Sequence, residues 1–194
     1  MQSETAMHRP TDLMTNIPDI LITTYLEMEP ADFEPSFISD DRLEIREVVA
    51  PDLGYYRFMY WTVGGQWNWT DRLLLEDDDL RAILTDPCMQ MYVLYYDGAP
   101  AGYIELVDMG EQRKEIAYFG LREPFWGRGL GKHLLSWGVA LAFEEGVARV
   151  TLNTCNLDSP LALRNYQKRG FRVYDVTEKP MPDKEYIKLT AQQQ

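Results

Sequence analysis

Residues 126–132 read WGRGLGK. They follow a stretch of strand character, EIAYFGL at residues 115–121, and lead into a helical one in which Leu130, Leu134, Trp137 and Leu141 recur at i, i+4, i+7 and i+11. That spacing puts four large apolar side chains on one face and predicts a helix over residues 129–145, stopped by Gly146. Three glycines in five residues let the backbone aim several N–H groups in one direction, and the helix N-terminus behind them adds a partial positive charge. Such a turn suits an anion like a pyrophosphate. Spacing tests the alternatives. A Walker loop needs GxxxxGK[ST], but Trp126 holds the first glycine position and His133 follows Lys132. A dinucleotide GxGxxG fingerprint needs glycine where Lys132 stands. A plain strand-to-helix turn also fits these glycines.

Working outward, residues 147–155 read as a strand. The next helix carries Ser159 as N-cap, Pro160 at the first helical position, Lys168 and Arg169 in the last turn and Gly170 as its stop. Strands at 171–176 and 186–189 finish the chain. Upstream, residues 89–96 and 101–107 form a predicted hairpin around Asp97-Gly98, with a further strand over 112–121. Two helices come before them: one of aromatics, opened by Pro51 and Asp52 and stopped at Gly64-Gly65, the other over 73–85, whose acidic run Glu76 to Asp79 suits the positive end of the helix dipole. Residues 20–28 and 43–49 are predicted strands, and residues 1–18 read as a mobile tail. Hairpins mixed with crossover helices predict an α/β (α+β) fold on a mixed sheet.

In this setting the chain resembles the GCN5-related N-acetyltransferase (GNAT) superfamily. The resemblance rests on Trp126 to Gly131 against the family's [RQ]xxGxG, and on residues 158–171 (DSPLALRNYQKRGF) against its N-x-x-A-x-x-x-Y-x-x-x-G-F segment. It covers about residues 43–177. Trp126 departs from the usual Arg or Gln, and Ser159 from the frequent Asn. The resemblance implies a mixed, mostly antiparallel sheet flanked by helices in residues 42–194, with residues 1–41 as a tail and arm carrying one extra strand.

It also implies roles. Acetyl-CoA would be the cosubstrate, with no metal. Backbone groups of Phe119 and Leu121 would bind its arm like an added strand, and the N–H groups of Gly127, Arg128, Gly129, Gly131 and Lys132 would hold the pyrophosphate. Asn156 is a side-chain contact to the arm. Tyr166 matches the family's tyrosine acid: a phenol with pKa about 10 stays protonated at neutral pH and can give a proton to a departing thiolate. Glu115 is the expected base, in the register of the histone-acetyltransferase glutamate, with Glu105 on the neighbouring strand as the second choice. Glu115 also reads as a surface glutamate beside Arg113 and Lys114 at a strand edge. Trp67 and Trp69 would line the acceptor pocket, where aromatic rings can clamp a cationic amine; packing of the helices onto the sheet is the competing role.

Composition sets outer bounds. The 194 residues carry 31 Asp and Glu against 19 Lys and Arg, net −12. That balance argues against nucleic acid and against an anionic membrane surface as partners. With two histidines and two cysteines, Cys88 and Cys155, neither a zinc centre nor a disulfide framework is expected. Neither the polar N-terminal segment nor the short apolar run 134–143 suits a signal peptide or a membrane span, so a cytoplasmic protein is expected. The charge is split along the chain. Residues 1–41 hold nine acids and one base and residues 42–112 thirteen acids and five bases, whereas residues 113–172 hold five acids and ten bases. A basic cofactor half suits CoA's phosphates, and an acidic acceptor half suits a small cationic amine. The extra strand 20–28 would cover a sheet edge or join a homodimer.

Overall fold

A computed structural model describes residues 17–181. Most of the expected N-terminal tail and the expected strand 186–189 lie outside the described residues.

Seven strands form one sheet: β1 (Ile20–Met28), β2 (Leu43–Glu47), β3 (Met89–Tyr96), β4 (Ala99–Asp108), β5 (Arg113–Leu121), β6 (Arg149–Cys155) and β7 (Arg172–Pro180). Their spatial order is β2-β3-β4-β5-β6-β1-β7. Every neighbouring pair is antiparallel except β5 and β6. The β3–β4 hairpin turns at Asp97 and Gly98, both at positive φ (54° and 76°), the pair of left-handed residues that a tight hairpin needs to match strand twist.

Four helices cover the two faces: α1 (Leu53–Gly64), α2 (Asp77–Leu84), α3 (Leu130–Glu144) and α4 (Ala162–Gln167). On one face, Tyr56, Met59, Tyr60 and Val63 of α1 and Leu80 and Leu84 of α2 bury Met91, Val93 and Tyr103. On the other, Leu134, Leu135 and Val139 of α3 pack on Leu26, Leu94, Ile104, Leu106, Val150 and Leu152. Of the stripe read from the sequence, Leu130 and Leu134 lie in the seam between α3 and the sheet, while Trp137 and Leu141 are only partly buried at its edge and Leu135, Val139 and Ala142 complete it.

Asp52 starts α1 by accepting a hydrogen bond from the Tyr55 N–H (2.9 Å). Two helix starts fall later than expected. α2 begins at Asp77, not residue 73, because the Thr70 carbonyl takes the N–H groups of Leu73 and Leu74 in a turn of its own. α4 begins at Ala162; Ser159 caps the turn ahead of it, its hydroxyl accepting from the Leu161 N–H (3.3 Å) and its carbonyl from Ala162 (2.8 Å).

The extra N-terminal strand lies inside the sheet, paired on one side with β6 and on the other with β7. Asn156 prolongs the β1–β6 pairing past the end of β6. Its carboxamide oxygen accepts from the Ile22 N–H (3.0 Å) and its nitrogen donates to the Ile20 carbonyl (2.9 Å). Between β1 and β2 the chain crosses α3, where Ser136 Oγ accepts from Ser36 N–H (2.8 Å) and His133 Nδ1 from Ile38 N–H (3.0 Å). His133 therefore anchors this crossing.

Candidate active site

β5 and β6 are paired only from Arg113–Ile116 against Arg149–Leu152, although β5 runs on to Leu121 and β6 to Cys155. The two strands part beyond that point. The β4–β5 register shifts between Glu105 and Leu106, leaving Ala117 as an extra residue at the place where the gap opens. Arg122 N–H donates to the Ala101 carbonyl (2.9 Å). By antiparallel alternation, Phe119 and Leu121 then turn their backbone groups away from β4 and toward the gap.

At the outer end of the gap lies the glycine loop. Gly127 and Gly129 adopt φ of 74° and 78°, conformations that L side chains rarely take. The N–H groups of residues 127–132 have no hydrogen-bond partner among the described residues. Six consecutive free donors at the N-terminus of a 15-residue helix form an anion cradle. Lys132 folds back over Gly129. Arg128 donates to the Pro124 carbonyl (3.1 Å) and lies over the Tyr96 and Phe125 rings. A CoA pyrophosphate fits these donors, and its arm fits the unpaired strand edge.

Tyr166 reaches the gap from α4, its ring packed on Phe119 (6.2 Å) and Phe171 (6.0 Å). Burial, aided by the charge of Asp158, pushes its phenol above the usual range, so it stays protonated. Glu115 lies on the opposite face. Its neighbours Lys114 and Ile116 point to the α3 side, where Lys114 is ion-paired with Glu145, so strand alternation turns Glu115 to the α1 side. There the Asn153 amide donates to it (3.4 Å), and burial raises its carboxyl above the ordinary value. Tyr166, at the gap, and Glu115, on the last paired stretch of β5, thus lie on opposite faces of the sheet.

Glu105 sits elsewhere. It is fully buried beneath α1, one oxygen held by Arg72 (2.9 Å) and the other by the Tyr56 hydroxyl (2.7 Å). The carboxamide of Asn156 is engaged by β1, as described above. Trp67 stacks on Trp126 of the glycine loop (6.0 Å, 25°). Trp69 lies against Tyr60 and Tyr118, its ring so close to Gly64 that a Cβ there would stand 2.1 Å from it. Its indole N–H donates to Asp158 (3.2 Å), whose other oxygen accepts from the Thr154 hydroxyl and the Cys155 N–H. Asp158 carries only a weak signal in the sequence, a lone acid three residues beyond a strand and directly before a helix-capping serine. A cavity of about 430 Å³ opens beside it, walled by Trp67, Asn68, Ile22, Thr24 and Leu163. Among the described residues no cluster of His, Cys, Asp or Glu is gathered as a metal would need, and no helix is long and apolar enough to cross a membrane.

Comparison with known proteins agrees with the fold. A GCN5-related N-acetyltransferase from Kribbella flavida superposes with a TM-score of 0.59 at 18% identity, covering 84% of this chain and 58% of that one. This chain therefore spans less than two thirds of that protein's length. A GNAT family acetyltransferase from Elizabethkingia anophelis with acetyl-CoA bound gives 0.54 at 22% identity, covering 70% of this chain and 80% of that one. An aminoglycoside acetyltransferase from an uncultured soil metagenomic sample, in complex with trehalose, gives 0.56 at 16% identity, covering 67% and 88%. At these identities the likeness shows the fold. The sequence model described as the acetyltransferase (GNAT) family matches residues 49–171, more than half of the chain, and the chain belongs to that family.

Proposed function

We propose that this protein transfers the acetyl group of acetyl-CoA directly to the primary amine of a small cationic acceptor. The observation that carries this reading is the juxtaposition of the parted β5/β6 edge with the run of free N–H donors at residues 127–132. An extended arm ending in a pyrophosphate matches both. When bound, acetyl-CoA supplies an activated acyl thioester.

The chain's own groups manage the protons. A free alkylamine is protonated at neutral pH, with a pKa near 10.4, and must lose a proton before it can attack. Glu115, held by Asn153 on the acceptor face, takes that proton directly or through a water. Tyr166 on the other face gives its hydroxyl proton to the leaving sulfur. Cys155 suits no covalent relay, because burial and the neighbouring Asp158 push its thiol up to about 11 and leave it un-ionised at neutral pH.

A cationic acceptor is favoured by Asp71, Asp158 and Glu115, none of which forms an ion pair among the described residues. The Tyr118 hydroxyl donates to Asp71 (3.4 Å), and the Trp69 indole donates to Asp158. These contacts seat two of the acids beside aromatic rings.

The test is release of CoA thiol from acetyl-CoA in the presence of monoamines, polyamines, aminoglycosides and peptide N-termini, with the product identified by mass. Amine-dependent release supports the reading. Acetyl-CoA binding without transfer to any acceptor would make the protein a CoA-docking module instead.

A further inference from the structure

Trp126 occupies the motif position that the sequence marked as unusual, and it does not simply fill space. Its indole N–H donates to the Leu121 carbonyl at 2.9 Å. That carbonyl is one of the β5 backbone groups turned toward the gap, at the strand edge that an arm of amide character would pair with. The Trp126 ring stacks on Trp67, which stands on the 3₁₀ turn Gly65–Trp67 between α1 and α2 and also walls the cavity beside Asp158. Trp126 is 41% exposed, so nothing in the core locks it in place.

The carbonyl oxygen has two lone pairs, so competition for it is for the space beside it, where the indole ring now stands. We propose that Trp126 is a positioning residue that competes with the acyl donor's arm for the Leu121 carbonyl, and that donor binding parts the Trp67–Trp126 stack. The inference rests on the acetyl-CoA reading above. An arm amide that donates to Leu121 displaces the indole N–H, and the Trp126 ring leaves Trp67 with it. Trp67 is then free to move where it walls the cavity. An Arg or Gln at position 126 has no ring to stack on Trp67 and would not link the two sides in this way.

The experiment is a calorimetric titration of the full chain with CoA, alongside tryptophan fluorescence, for the wild type, Trp126→Phe and Trp67→Ala. Trp126→Phe keeps a ring but removes the N–H; Trp67→Ala removes the stack. Trp126 is exposed and Trp67 half-buried, so Trp126→Phe keeps the test usable if Trp67→Ala folds poorly. Losing one neutral hydrogen bond as a competitor corresponds to about 2- to 10-fold tighter CoA binding. We expect that gain in Trp126→Phe, a smaller gain in Trp67→Ala, and a CoA-dependent fluorescence change in the wild type that shrinks in both variants. Unchanged or weaker CoA binding by Trp126→Phe overturns the inference while leaving the acetyl-CoA reading intact. Failure of the wild type to bind CoA overturns both.

Discussion

Trp69 donates its indole N–H to Asp158 at 3.2 Å, joining the connection between α1 and α2 to the turn that follows β6. The two residues lie 89 positions apart, and the bond crosses the end of the gap where β5 and β6 separate. Asp158 also accepts from the Thr154 hydroxyl (2.7 Å) and the Cys155 N–H (2.9 Å), so one carboxylate fixes both the turn and the tryptophan. Asp158→Ala leaves these donors without their acceptor. It is expected to cost about 2 kcal/mol, a fall in Tm of about 4–8 °C, and to raise the KM for the amine more than that for acetyl-CoA. Thermal melts and a two-substrate kinetic analysis check this.

Tyr166→Phe keeps the ring contacts with Phe119 and Phe171 and removes only the hydroxyl. Because the phenol serves the leaving sulfur, kcat should fall on the order of 10²-fold with Tm unchanged. A wild-type kcat would remove the proton-donor role from Tyr166.

The pH profile reports on Glu115. Burial raises its carboxyl above the ordinary value, so the ionised base is lost as pH falls through that raised value. Activity should therefore show an acidic limb that Glu115→Gln abolishes along with most of the rate. Stability runs the other way. A carboxyl whose folded-state pKa is raised favours folding only while protonated, below its unfolded value, and that contribution is lost as pH rises through the folded value. Glu115→Gln should thus raise Tm at pH 7 relative to the wild type, with the gain shrinking toward pH 4. A lower Tm at pH 7 would show that the Asn153 contact outweighs the burial.

Much of this was readable from local pattern. Asp97-Gly98 announced a hairpin because two consecutive left-handed residues are cheap only for such residue types. Asp52 announced a helix start, and the glycine loop with its apolar stripe announced an anion site on a packed helix. What stayed hidden depends on partners distant in sequence. A β-branched run at residues 20–28 says strand, but nothing local says that it threads between β6 and β7, since the residues that receive it begin more than 120 positions later. Glu105 reads as any alternating strand glutamate until Arg72 and Tyr56 close over it. Likewise the Asn156 amide reads as free until β1 claims it.

Gly129 sits at φ 78° in the anion loop, and a Cβ there would stand 3.1 Å from both Ile38 Cδ1 and Lys132 Cε. Gly129→Ala is expected to cost about 1 kcal/mol or more in stability and to weaken acetyl-CoA binding by at least an order of magnitude, because the loop must distort away from the geometry that aligns its donors. Gly146→Ala, also at positive φ but with open space around its Cβ and at the far end of α3, provides the control. It should lose stability without losing acetyl-CoA affinity.

The central claim, that the parted strands and the glycine loop bind acetyl-CoA, is tested most directly by isothermal titration of the wild-type chain with acetyl-CoA beside Gly129→Ala. One site per chain is expected, with a Kd well below about 1 mM that is markedly weakened in the variant. Absence of binding at about 1 mM, or equal affinity in the two proteins, would contradict it.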